Sequence, residues 1–189
     1  MILPISYYGA TVLRQKGATI KEITPEIRQL AADMLETMRA HDGVGLAAQQ
    51  VGQALQLTVI DISVVEKRPS KMWIDQVEVD PKGHMPLVLI NPEISIIKTK
   101  EIGVEGCLSF PEITADIVRS KRVKVKARTL DQPVIEFEAA GLLSRAVQHE
   151  YDHLQGILFI DRMDPDERQE LKGAIEAIKT NPPKPKLAE

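Results

Sequence analysis

Residues 149–153 read His-Glu-Tyr-Asp-His, and this pentapeptide constrains the fold of the chain more than any other feature. Four positions apart, its two imidazoles share one face of an α-helix. That spacing suits two nitrogens on one metal ion, with Glu150 beside them as a general base. A catalytic site of this kind needs three protein ligands and one open position. The fold must therefore carry a third donor to this helix from elsewhere in the chain.

The usual downstream donor is missing. Metalloproteases with the long form of this signature continue with Gly and then a third His. Gly156 stands at the matching place, but the ligand position holds Phe159, which cannot bind a metal. Asp161 and Asp164 follow, and nothing in the pattern places either on a second helix facing the site. Upstream, the single cysteine, Cys107, lies in Glu105-Gly106-Cys107-Leu108-Ser109-Phe110-Pro111. As a thiolate beside two His it makes a Cys-His-His set with a fourth position open. A third unusual segment is Gly43-Val44-Gly45-Leu46-Ala47-Ala48-Gln49-Gln50. Its glycines let backbone approach a ligand closely, and it ends in an amide side chain.

These segments, Gly43–Gln50, Glu105–Ser109 and Gln148–Leu154, resemble in order the signature motifs of the peptide deformylase family, in its bacterial and organellar form. The similarity runs from about Ile5 to Met163. It implies a hydrolase that removes the N-formyl group from the initiator methionine of new polypeptides and releases formate. Cys107, His149 and His153 would bind one divalent ion, Fe²⁺ in the cell, with Zn²⁺, Ni²⁺ or Co²⁺ found after purification. Ligand type alone does not choose among these ions. Glu150 would carry the proton, while Gln50 and the Leu108 backbone N–H stabilise the formyl oxygen. A tight pocket near Gly45 would reject larger acyl groups. Val44, Ile113 and Leu142 would line the pocket for the methionine side chain. Many bacterial relatives have Arg three positions after the proline of the second motif, where this chain has Thr114, so contacts beyond methionine are expected to differ. A general zinc peptidase would instead need a ligand at Phe159. A structural zinc site would need a fourth protein ligand, and the sequence supplies no convincing one.

Composition narrows the setting. The chain has 189 residues, 43% hydrophobic and 27% charged, enough for one domain with a real core. A net charge of −3 argues against a nucleic-acid partner. No apolar run is long enough to span a bilayer, and Met1–Ser6 has no secretory pattern. One unpaired Cys fits a reducing compartment. The expected setting is the cytoplasm. The expected partners are formyl-methionyl N-termini and, transiently, the ribosome, with no membrane.

Local pattern predicts an α+β fold in which antiparallel strands pack around a central metal-binding helix, followed by a C-terminal helix. Thr24 and Pro25 read as N-cap and first residue of a helix reaching about Ala40. Strands are expected at Leu57–Ile62, Leu87–Ile97, Arg122–Leu130 and Val134–Ala139. Gly141 opens the metal helix. Asp164 starts the last helix, with Leu171, Ile175 and Ile178 as its apolar stripe. The alternation over Trp73–Val79 suggests an extra hairpin in the polar stretch Ser63–Pro86, read as surface elaboration rather than part of the cleft. Glu105 and Arg119 are candidates for a charge pair supporting the ligands. Gln148 is expected to orient the helix, and His41 and His84 to lie on the surface. The catalytic domain is taken as 1–163, with 164–180 as a helix of the same domain and 181–189 as a flexible tail.

Overall fold

A computed structural model describes residues 1–183 of the protein. The expected tail, beyond residue 183, lies outside the described residues. The first helix, α1 (Pro25–Ala40), begins where expected: the Thr24 hydroxyl accepts from the Ile27 N–H, and Pro25 occupies the first turn. Ala31, Met34 and Met38 form its buried stripe. They pack on Leu46 of β1 (Gly45–Ala47) and on Leu57 and Val59 of β2 (Leu57–Ile60).

The expected hairpin is present as β3 (Ser70–Ile74) and β4 (Val77–Val79). Asp75 and Gln76 turn it with positive φ at both positions, as tight hairpins require. It is not a detached elaboration, because β3 pairs with β7 (Ile135–Gly141) and extends the sheet. The described strands form one antiparallel sheet in the order β1-β2-β5-β6-β7-β3-β4, where β5 is Leu87–Cys107 and β6 is Phe110–Arg128.

The centre of that sheet departs from the sequence reading. The strand expected to stop at Ile97 runs from Leu87 to Cys107 as β5, and the strand expected to start at Arg122 starts at Phe110 as β6, ending at Arg128. Register shifts after Ile90, Ile97 and Gly106 bend this long hairpin. The bends interrupt the alternation, so the distal half does not read as strand. Within β6 the period is nonetheless clean: Ile113, Ala115, Ile117 and Arg119 are buried, while Glu112, Thr114, Asp116 and Val118 are exposed. In the basic run Lys121–Lys126, Lys121, Lys124 and Lys126 face solvent while Val123 and Val125 enter the core.

The metal helix, α2 (Leu142–Leu154), is buried along almost its whole length. Leu142, Leu143, Ala146 and Val147 pack against Leu87, Leu89, Val123, Val125 and Phe137 of the sheet. Its start is prepared by the β3 segment: Leu142 N–H donates to Pro69 O at 3.1 Å and Leu143 N–H to Ser70 Oγ at 3.0 Å. The last helix is two helices, α3 (Pro165–Glu170) and α4 (Lys172–Thr180), meeting at Leu171. Ile175 and Ile178 seal the inner face of the hairpin together with Phe110, Ile113, Ile117 and Phe159. The fold is therefore α+β, with strands around a central helix and helices closing the C-terminal end.

Candidate active site

A helix buried on all sides must satisfy every polar side chain it carries. In α2 those partners come from the β5–β6 hairpin. Gln148 accepts from Ser120 N–H at 3.0 Å and donates to Ser120 O at 2.9 Å, which sets the helix against β6. Glu105 is the hub. It receives Arg119 through Nε at 2.9 Å and Nη2 at 3.0 Å, Arg145 Nη1 at 2.9 Å and His149 Nδ1 at 2.9 Å. Arg119 continues to Asp152, which Arg162 also holds at 2.7 Å. The charge pair expected from Glu105 and Arg119 exists, inside a larger network. Removing one member of such a buried set typically costs about 3–5 kcal/mol, because the others are left uncompensated.

This network aims the ligand atoms. A carboxylate only accepts, so the Nδ1 of His149 carries the proton and its Nε2 lone pair faces away from Glu105. His153 Nε2 lies 3.3 Å from Cys107 Sγ. The ligand atoms of Cys107, His149 and His153 all fall within 4.8 Å of one another. Cys107 reaches the helix because it sits at the tip of the hairpin, paired with Phe110 across the two-residue turn Leu108-Ser109.

Burial lowers the pKa of His149, but hydrogen bonds and charge from Cys107 and Glu105 outweigh it and raise the value well above the ordinary one. Burial lowers His153 well below it, aided by the charge on His149. Burial acts to raise Glu105, yet His149 and Arg119 hold it below the usual carboxylate range. Cys107 and Glu105 thus favour positive charge at His149, while burial holds His153 neutral with a lone pair to offer. Beside them Glu150 is pushed up to about 7, chiefly by burial. Its Oε2 is buried with no protein partner. Gly45 makes the room for this carboxylate, since a Cβ there would lie 2.3 Å from Glu150 Oε1. Soft and borderline donors with an orphaned carboxylate oxygen beside them fit a catalytic divalent ion.

The amide of Gln50 is oriented from both ends. Its Oε1 accepts from Ala47 N–H at 2.8 Å, so Nε2 faces Ser109 Oγ at 3.3 Å and Cys107 Sγ at 3.5 Å. Gln50, Cys107, His149 and Glu150 border one cleft, with Val44, Gly45, Leu108, Ile113 and Leu142 also on its wall. The cleft holds about 510 Å³. Every catalytic, ligand and pocket residue named from the sequence except His153 lines it, and His153 lies behind, against Cys107.

A family model for polypeptide deformylase matches residues 2–169. The chain belongs to that family. It is 49% identical over 179 residues to the peptide deformylase of Methylacidiphilum infernorum, covering 95% of this chain and 94% of the relative. The crystal structure of peptide deformylase from Thermotoga maritima superposes with a TM-score of 0.74 at 38% identity, covering 87% of this chain and 99% of that one. The enzyme from Synechococcus elongatus, solved in complex with actinonin, gives 0.77 at 39% identity, covering 92% and 84%. The chain is a deformylase-family hydrolase that removes the N-formyl group from nascent polypeptides, and the family depends on a metal.

The deformylase cleft also contains residues that the sequence reading left out. His41, read as surface, is half-buried on the wall. Arg68 comes from the stretch read as elaboration and donates to Val104 O at 3.3 Å. Tyr7 and Pro183 approach from the two ends of the described chain. Only tertiary contact brings Arg68, Tyr7 and Pro183 to the site, whereas His41 adjoins the Gly43–Gln50 segment in the chain. Ala146 was legible, because it lies midway between Leu142 and Glu150 on one helix face.

Proposed function

We propose that Glu150 is the general base and acid of deformylation, that Cys107, His149 and His153 hold one divalent ion, and that Gln50 and the Leu108 backbone N–H stabilise the developing oxyanion. The observation carrying this reading is the convergence of three ligand atoms beside the buried, unpartnered Oε2 of Glu150 within one cleft. A divalent ion held there supplies the Lewis acidity that makes hydroxide available near neutral pH. Glu150 takes the proton as a water oxygen bonds to the formyl carbon. Its carboxyl then returns that proton to the amine nitrogen as the C–N bond breaks, leaving formate and a free N-terminus. A carboxyl near 7 suits both transfers at neutral pH. Gln50 Nε2 and Leu108 N–H donate to the formyl oxygen as its charge grows. Val44, Gly45, Ile113 and Leu142 shape the cleft for a methionine side chain next to a formyl group, and the cleft they line supports that assignment.

The family resemblance points to Fe²⁺ as the resident ion, with Zn²⁺, Ni²⁺ or Co²⁺ as replacements, all of which the thiolate and imidazole donors accept. A thiolate ligand that must stay reduced favours the cytoplasm, where the enzyme meets formyl-methionyl ends, with transient ribosome association. No helix among the described residues is long and apolar enough to cross a membrane. Residues 1–163 form the catalytic domain and 164–180 belong to it, a reading supported by the packing of Ile175 and Ile178 on Phe110 and Ile113.

The deciding experiment follows formate release from formyl-Met-Ala-Ser by wild type and Glu150→Gln, with the metal content of each measured. Turnover should fall by about 10²–10⁴ with metal retained. Wild-type turnover by the metal-loaded variant would reject Glu150 as the proton carrier.

A further inference from the structure

Two guanidinium groups border the cleft, and they are differently placed. Arg145 is buried, and its head is spent on Glu105 and on the carbonyls of Gly103 and Ile117. Arg68 is exposed at the mouth. Among the described residues its guanidinium has one hydrogen-bond partner, Val104 O, to which Nη2 donates at 3.3 Å. A guanidinium carries five N–H donors in a planar fork, so several remain for a ligand. The backbone beside Arg68 is pinned. Pro69 O accepts from Leu142 N–H at 3.1 Å, and Ser70 Oγ accepts from Leu143 N–H at 3.0 Å. Arg68 thus reaches from the first turn of α2 across to β5. Its anchor lies on the free part of that strand: β2 pairs with β5 only as far as Ile90, and beyond it β6 is the one strand neighbour among the described residues.

We infer that Arg68 is a substrate-binding residue: held on Val104 O, its guanidinium donates to the main-chain carbonyl of the second or third residue of the formyl-peptide. The inference rests on the proposal that the formyl group sits beside Cys107, His149 and His153. Val104 stands three residues before Cys107 on β5, about 10 Å along an extended strand. In an extended substrate the carbonyls of the second and third residues lie about 7 and 10 Å beyond the formyl carbon. The two spans match, so a chain leaving the ligand atoms along this wall presents an acceptor where the fork is. An enzyme acting on nascent polypeptides meets many different residues after the methionine. A donor aimed at the main chain serves all of them, because every residue offers the same carbonyl. A clip that only fastened the preceding loop to β5 would be indifferent to the length of the substrate.

The test measures kcat and KM for amide-terminated formyl-Met, formyl-Met-Ala and formyl-Met-Ala-Ser in wild type, Arg68→Ala and Arg68→Lys, with metal content determined for each. In wild type, kcat/KM should rise with length. Arg68→Ala should cut the advantage of the tripeptide over formyl-Met amide by about tenfold, the scale of one hydrogen bond to a charged group at an exposed site. The loss should appear in KM rather than kcat. Arg68→Lys keeps the charge without the fork and should restore little of the advantage. Equal falls at every length would leave Arg68 a clip on the loop and overturn the inference. So would a wild-type enzyme indifferent to length, or full recovery in Arg68→Lys. A fourth substrate, formyl-Met-Asp-Ser amide, tests the side-chain alternative. If Asp improves kcat/KM in wild type but not in Arg68→Ala, while the length advantage survives in both, Arg68 reads acidic side chains and the main-chain assignment falls. Glu150→Gln on formyl-Met amide keeps this inference distinct from the site assignment beneath it. If that variant is inactive and Arg68→Ala leaves the length advantage intact, the inference fails alone. If metal-loaded Glu150→Gln turns over like wild type, the site assignment fails and takes the inference with it.

Discussion

Gly45 and Glu150 function as a pair. The carboxylate reaches the ligand atoms only because position 45 has no side chain, with Glu150 Oε1, Cδ and Cγ at 2.3, 2.8 and 2.9 Å from a hypothetical Cβ. Gly45 was read as part of the acyl pocket, and it does line the cleft, but its tightest neighbour is the base. Gly45→Ala should push the carboxylate aside by a fraction of an ångström to an ångström. Misplacement of that size costs about a hundredfold in kcat. Metal content should stay at the wild-type level, since the atoms nearest the new methyl group all belong to Glu150. Steady-state kinetics with metal analysis checks this, and an unchanged kcat would show that the carboxylate adapts.

At the scale of elements, two joints hold the site together. One is the hairpin tip, where Cys107 and Leu108 stand at the end of β5. The other is the entry into α2. Gly141 has φ +69°, and a Cβ there would lie 2.2 Å from Pro69 O, the same carbonyl that accepts from Leu142 N–H. A side chain is thus opposed by both backbone conformation and close contact. Gly141→Ala should destabilise the protein by about 2 kcal/mol or more, readable as a lower urea midpoint with unchanged slope. A midpoint equal to wild type would contradict this account of the joint. The joint also explains why the β3–β4 stretch cannot be treated as decoration: Pro69 and Ser70 supply acceptors for the first N–H groups of the metal helix.

Across the whole molecule, Arg14 near the start is tied to Asp161 after the metal helix, and Asp161 Oδ2 also accepts from Leu158 N–H at 2.9 Å. Burial acts to raise the Asp161 pKa, but Arg14 and the Leu158 N–H outweigh it and lower the value below 3.8. A depressed carboxyl stabilises the fold above its unfolded value and loses that contribution as pH falls through the folded value. Asp161→Asn should therefore be less stable than wild type at neutral pH. The difference should be about 1 kcal/mol or less, because both side chains remain partly exposed to solvent. It should close on acidification below 3.8. Urea unfolding of both proteins across that range tests the sign, and a gap that widened on acidification would reverse it.

The sequence by itself determined what is local. Spacing placed His149 and His153 on one helix face with Glu150 between them. The cap at Thr24, the alternation around Trp73–Val79 and the opening at Gly141 are likewise written in neighbouring residues. The motifs as a set named Cys107 and Gln50, which lie far from the helix in the chain. The tertiary structure decided how those pieces meet. The reach of β5 to Cys107 was obscured by register shifts that break the period of two. The Glu105 hub draws Arg119, Arg145 and His149 from separate segments. A hydrogen bond between residues 44 apart, such as that from His149 to Glu105, leaves no mark in local pattern. Neither does the space at Gly103 that Arg145 fills. Such contacts exist only once the hairpin is folded over the helix, because their energy comes from burial and pairing that no single segment can provide.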